Sequence, residues 1–179
     1  MDQGLAAVLG AFVGVVGTSA TAVLTGRYMR QQARDQAHID HARWRREIRQ
    51  ETYAATLVPI TEARAVAREV SRALVREDAD AEVGSLLGQL NELIQTIRAS
   101  CARLYLEGPE EVARAGDAVL RALRVVDNNL VTWKQSRASS PESVAEHIER
   151  HTLKAAELAH SVTRFAHEAS KALDATITA

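Results

Sequence analysis

The chain begins with an uncharged segment long enough to cross a bilayer, and this segment constrains the fold more than any other feature. Residues 4–26 read GLAAVLGAFVGVVGTSATAVLTG, without one charged side chain. As a helix rising about 1.5 Å per residue they would extend about 34 Å, more than the roughly 30 Å of a hydrocarbon core. We therefore predict a transmembrane anchor at residues 1–26 and localisation at the cell membrane, in contact with the lipid bilayer.

Positive charge lies on only one side of this segment. Arg27, Arg30 and Arg34 follow it, whereas the residues before it include Asp2 and no basic side chain. Because Lys and Arg accumulate on cytoplasmic flanks, we expect a single-pass protein with its N-terminus outside and its C-terminus in the cytoplasm. A cleaved secretory signal is the alternative, since an Ala-x-Ala pattern ends at Ala22. A signal, however, requires basic residues ahead of the apolar segment.

Small residues recur every fourth position along the predicted span. Successive positions are offset by about 40° around a helix, so they form an inclined ridge along which a second helix can approach closely. The ridge predicts a helix–helix interface within the membrane, either with a second copy of the chain, as a homo-oligomer, or with another membrane protein. Its residues are Ala6, Gly10, Gly14, Thr18, Ala22 and Gly26.

The next segment, residues 27–50, is predicted to be a basic juxtamembrane helix. It holds seven arginines against three acidic residues. Arg27, Arg30 and Arg34 are near enough to attract anionic headgroups, whereas residues further along a perpendicular helix lie beyond a Debye length of about 8 Å. The alternative is a solvated helix face that only obeys the positive-inside rule. We expect Trp44 and Ile48 either to begin the row of buried apolar residues of the next domain or to contact a partner.

Composition indicates an all-α fold for the remainder. Aromatic residues are only 4% of the chain, and Gly and Pro are sparse beyond the span, so sheets and long loops are not expected. The single cysteine, Cys101, excludes an internal disulfide and is expected to be a small core residue. A net charge of −1 gives no reason to expect a nucleic-acid partner, and no small-molecule substrate is evident.

Breakers and apolar spacing divide residues 51–179 into an antiparallel helical bundle of three to four long helices. The first is expected to bend at Pro59 and reach about Glu77, and the others to span about 81–107, 109–137 and 141–175, with Ser140 as the last N-cap. Alternating three- and four-residue steps indicate nearly antiparallel packing. The predicted seams are Leu57, Ile60, Val66, Val70, Ala73 and Leu74; Val83, Leu87, Leu90, Ile94, Ile97, Cys101 and Leu104; Val112, Gly116, Val119, Leu123, Val126, Leu130 and Trp133; and Val144, Ile148, His151, Ala155, Leu158, Val162, Phe165, Ala169 and Ala172.

No motif in the chain indicates catalysis, a cofactor or a metal. Glu157 and His160 match one Glu-x-x-His unit of di-iron bundles, and His147 and His151 are four residues apart, but such bundles need two of these units and two further inward glutamates. We expect His151 to be packed or at the core boundary and His160 to face solvent. The prediction is that the chain is not an enzyme.

The small-residue span, the arginine-rich exit and the segment 43–55, RWRREIRQETYAA, resemble short, uncharacterised single-span membrane proteins of high-GC bacteria with coiled-coil or helical-bundle domains. Nineteen arginines against three lysines fit such an origin. The resemblance implies no particular activity.

These observations favour a membrane-anchored interaction or scaffold protein. The alternative is a membrane-active effector of holin or toxin type that assembles through its span. The polar side chains of residues 4–26 are Thr18, Ser19, Thr21 and Thr25, all near one end, which disfavours a lined pore.

Overall fold

The computed structural model describes residues 3–77, 79–137 and 144–175, and within the first helix it describes side chains only at Met29, Gln32, Gln36 and from Ile39 onward. The described residues form four helices and no strand: α1 (Gln3–Arg76), α2 (Asp80–Glu107), α3 (Glu110–Arg137) and α4 (Val144–Asp174). The all-α prediction is confirmed. The chain divides into two compact units, Met1–Arg45 and Arg46–Ala179.

Among the residues described, no helix has a stretch long and apolar enough to cross a membrane. The predicted span at residues 4–26 lies outside the side chains that the structure describes, and so does the predicted cap Ser140.

Helices that follow one another in the chain pack antiparallel in the second unit. Arg49 of α1 contacts Glu107 at the far end of α2, although the two helices are joined through residues 77–79. Gly84, near the start of α2, lies against Lys134 near the end of α3. Gly116 of α3 in turn lies against Phe165 of α4. These contacts give the helical bundle that the seams predict.

One hydrophobic cluster runs through all four helices. The predicted seams of α2 and α3 are buried at every position except Leu87, which is half-buried. In α1 the buried stripe begins earlier than predicted and includes small residues, whereas Leu57 and Val66 are only half-buried. That stripe is Tyr53, Thr56, Ile60, Ala63, Ala67, Val70 and Leu74, in alternating steps of three and four.

The α4 seam contains one wrong assignment. Ile148 is 41% exposed, and its neighbour His147 is buried instead. An α-helix turns about 100° per residue, so His147 and His151 lie within about 20° of the face set by buried Leu158, whereas Ile148 lies about 80° away. The buried C-terminal half of the helix therefore fixes the face, and the apolar character of Ile148 does not alter it.

The helices end close to the positions predicted from the helix-breaking residues, but the backbone conformations at these ends differ. α1 continues through Pro59, as expected. The helix ends at Arg76, and the next residue, Glu77, has the left-handed φ of 61° that glycine usually supplies after a helix. Gly108 ends α2 with a φ of −105°, so a left-handed turn is not what favours glycine there. Its backbone lies close to Tyr53, and a Cβ would come within 3.3 Å of the phenol oxygen.

Candidate functional site

The residues predicted to form a functional surface lie outside the described side chains. This holds for the ridge Ala6, Gly10, Gly14, Thr18, Ala22 and Gly26, and for Arg27, Arg30 and Arg34. Within the same unit the described Trp44 is 54% exposed and stacks on His41, with 5.6 Å between ring centroids. Trp44 is therefore not buried in a seam, which leaves its predicted role as a partner contact open.

In the second unit, α1 contacts the end of α2 through a polar cluster made of Arg49, Thr52, Tyr53 and Glu107. Arg49 Nε donates to the Glu107 carbonyl at 3.0 Å, and Thr52 Oγ1 bonds the Glu107 carboxylate. A guanidinium at the last carbonyls of a helix stabilises that end. Burial raises the pKa of Tyr53, against the opposing charge of Arg49. These contacts hold two helices together and present no reactive group to solvent.

A second cluster lies where the end of α3 packs on the start of α4, and we call Trp133, Ser136, His147 and His151 the imidazole cluster. The Trp133 side chain is fully buried, and both histidines are more than nine-tenths buried. His147 stacks almost parallel on Trp133, with centroids 5.9 Å apart and planes 8° apart, and His151 packs at 6.4 Å and 50°. Two imidazoles on successive turns of one helix thus cover one indole.

One arrangement of protons satisfies both hydrogen bonds of Ser136 in this cluster. Ser136 Oγ donates to the Trp133 carbonyl at 3.0 Å and lies 2.7 Å from His147 Nε2. A hydroxyl has one proton, so both bonds form when His147 carries its proton on Nε2 and donates to Ser136. The Nδ1 atoms of His147 and His151 are buried without a hydrogen-bond partner.

The Ser136–His147 pair does not form a nucleophilic centre in this arrangement. A catalytic serine donates its proton to the imidazole, which a third group orients from the other nitrogen. Here the serine proton is directed to a backbone carbonyl, and His147 Nδ1 has no partner. The geometry therefore supports packing and not acyl transfer.

Burial changes the acid–base behaviour of two core groups. It lowers the pKa of His151, because desolvation disfavours the charged imidazolium. Burial, assisted by the Asp117 charge, raises the pKa of Cys101 to about 11. Cys101 is 3% exposed and lies in the core seam of α2, as predicted.

The residues weighed for metal binding do not form a metal-binding group in the described part of the chain. Glu157 pairs with Lys154 at 3.1 Å, and His160 is exposed, as predicted. Among the described residues no group of three or more His, Cys, Asp or Glu side chains is placed to hold a metal ion. His147 and His151 were marked by their spacing in the sequence, but their stacking on Trp133 depends on how α3 and α4 are rotated.

Two surface grooves among the described residues are further candidates. One of about 470 Å³ lies between α1 and α2 and includes Arg68, Glu69 and Arg72. Hydrogen bonds from Arg76 and Arg72 lower the pKa of Glu69. Arg72 of this groove is therefore already paired with an acidic residue of the same helix. The other, of about 230 Å³, lies between α3 and α4 and is lined mainly by apolar and acidic residues beside Lys171. Neither groove presents a convergent set of charges for a defined ligand.

Comparisons with protein families, with curated proteins and with solved structures find no match to this chain.

Proposed function

We propose that this chain is a membrane-anchored interaction protein, in which an N-terminal span holds a cytoplasmic helical bundle at the inner face of the membrane. The observation that carries the proposal is the uncharged segment 4–26 with arginines on its C-terminal side alone. Hydrogen bonds in the two described clusters join helices of the bundle, which suits a structural scaffold.

The surface of the described part also supports an interaction role. Leu106 is 84% exposed, and Trp44 and Leu153 are more than half exposed. Single exposed apolar residues are ordinary, but an exposed, stacked tryptophan in a basic segment is a typical anchor for a partner.

Topology is the direct test of the anchor. A reporter that is active only outside the cytoplasm, fused after Ala179, should be inactive, and a cytoplasmic reporter at the same place should be active. The membrane fraction should retain the protein in high salt and release it in detergent. An active exterior reporter, or a mature N-terminus at Val23, would contradict the proposal.

The holin- or toxin-like alternative is tested with the same protein in liposomes. A scaffold should leave an entrapped dye inside, whereas an effector that assembles through its span should release it. Leakage that rises steeply with protein concentration would favour the alternative. Capture of neighbours from native membranes with a crosslinker would then identify what the bundle contacts.

A further inference from the structure

The buried residues of α4 differ between its two halves. In the first half, residues 144–157, the buried described side chains are His147 and His151, and Val144 is partly buried against the core. The second half, from Leu158 onward, is held by Leu158, Phe165, Ala169 and Ala172. Two titratable rings on Trp133 therefore form the buried contact of the first half, and aliphatic and aromatic side chains form that of the second.

A neutral imidazole suits the position of His151, and a charged one does not. The His151 ring lies 6.4 Å from the buried Trp133 ring, centroid to centroid, and its Nδ1 is buried without a hydrogen-bond partner. An imidazolium carries a proton on both nitrogens, so the proton on Nδ1 would have no acceptor.

Charged groups of the neighbouring helices are not among the causes of the lowered pKa of His151. On α4, Arg150 pairs with Glu146 and Lys154 with Glu157, all at exposed or half-exposed positions. On α3, Lys134 lies against Gly84 of α2, while Arg137 is a further cation. On α1, Glu69 pairs with Arg72 and Arg76. Burial is the cause of the lowered pKa of His151.

We propose that the first half of α4 is an acid-sensitive latch, docked on Trp133 while His151 is neutral and released when His151 is protonated. The lowered pKa of His151 gives the sign: the docked state binds fewer protons than the released state, so docking weakens as pH falls below about 6.5. Release would expose Trp133 of α3.

The latch can be followed by two measurements between about pH 7.5 and pH 5.5, on the full chain in detergent micelles. Hydrogen exchange, corrected for the intrinsic pH dependence, should show protection of residues 147–155 falling by up to about tenfold, the limit for one histidine, while protection of residues 158–172 is retained. In a Trp44→Phe background, acrylamide should quench Trp133 fluorescence more strongly at the lower pH.

The key variant is His147→Phe combined with His151→Phe, which keeps two rings against Trp133 but removes both proton acceptors. It should abolish both acid responses. His151→Gln, neutral and smaller, provides a second test if the double variant does not fold, and should also abolish the responses. The matched control is His160→Phe on the exposed face of the same helix, which should leave them unchanged.

Two results would overturn the latch. An undiminished acid response in the His147→Phe/His151→Phe protein would place the sensor elsewhere. Equal loss of protection in both halves of α4 would mean that acid unfolds the whole helix. Asp127 of α3 cannot produce the expected loss, because burial raises its pKa and protonation at low pH then favours the folded state.

Discussion

At the scale of single residues, the bundle depends on a close approach between α3 and its neighbours at Gly116. A Cβ at this position would lie 2.7 Å from Leu104 Cδ1, 3.4 Å from Cys101 Sγ and 3.7 Å from Phe165 Cε2. Glycine is a poor helix former, so its presence in the middle of α3 has a cost of about 1 kcal/mol relative to alanine. The three contacts explain why the residue is small.

Two glycine-to-alanine substitutions should therefore have opposite effects. Gly116→Ala should lower the free energy of unfolding by about 1–2 kcal/mol, because overpacking outweighs the gain in helix propensity. Gly88→Ala, at an exposed site in α2 with no atom near the added Cβ, should raise it by about 0.5–1 kcal/mol. Urea denaturation of both proteins measures the two changes. A stabilised Gly116→Ala protein would show that Leu104 can move aside.

At the scale of the helix, α4 presents one strongly buried face and one solvated face. Leu158 is 3% exposed, and Leu153 on the same helix is 60% exposed. The two leucines are alike in chemistry and helix propensity, so a comparison between them measures burial.

Leu158→Ala should reduce the free energy of unfolding by about 2–5 kcal/mol, since it removes buried methyl groups and leaves a cavity. Leu153→Ala should change it by less than about 0.5 kcal/mol. Thermal or denaturant unfolding followed by circular dichroism checks both values. Similar small effects at the two sites would mean that α4 is not packed through the face assigned here.

The seams show which parts of a helix can be predicted from a sequence. α2 and α3 carry large aliphatic residues at nearly every inward position, so spacing alone located their buried faces. Along α1 the inward positions include Thr56, Ala63 and Ala67, whose weak apolar character hides them among exposed alanines and threonines. At the start of α4, the apolar character of Ile148 led to its assignment to the buried face. The rest of the helix, through Leu158, instead turns His147 towards the core.

The imidazole cluster shows the limit for sites. The spacing of His147 and His151 was visible in the sequence, and the packed role of His151 was predicted. Their contact with Trp133 depends on how α3 and α4 dock, because the contacting residues are more than ten positions apart in the sequence. A local sequence pattern does not predict how two helices align along their axes. The polar cluster around Glu107 has the same origin, since Arg49 lies 58 residues away.

At the scale of the whole molecule, the second unit has a core of its own. Its buried residues come from the last part of α1 and from α2, α3 and α4, and they form one cluster. A domain that buries its apolar side chains internally needs no lipid to fold.

Residues 46–179 alone should therefore be soluble, strongly helical and cooperative in unfolding. Calorimetry should give a calorimetric enthalpy equal to the van't Hoff enthalpy, as two-state domains of this size do. A broad transition, or aggregation without detergent, would show that the bundle depends on the first unit or on the membrane.

The predicted span gives a separate expectation for the intact protein. Replacing Gly10 and Gly14 together by isoleucine keeps the segment apolar but blocks close helix approach, so association in a membrane reporter assay should fall. Val13→Ile adds one methylene away from the ridge and should change association little. Equal signals from all three proteins would leave the glycines without a role in contact. Loss of a captured partner, without any self-association in the original protein, would assign the ridge to a heteromeric contact.

Because Cys101 is buried in the core, its chemical modification can report on rare opening of the bundle. Its sulfur lies at the meeting point of α2, α3 and α4, and it is the single cysteine of the chain. Because thiolate is the reactive species and the pKa is raised to about 11, an alkylating reagent at neutral pH should hardly modify the closed state. The rate of modification then depends on how often the bundle opens. Its dependence on temperature and denaturant distinguishes local opening of α4 from global unfolding. A partner that binds the closed bundle would slow this reaction without touching the thiol, which allows an unknown ligand to be detected before its site is known.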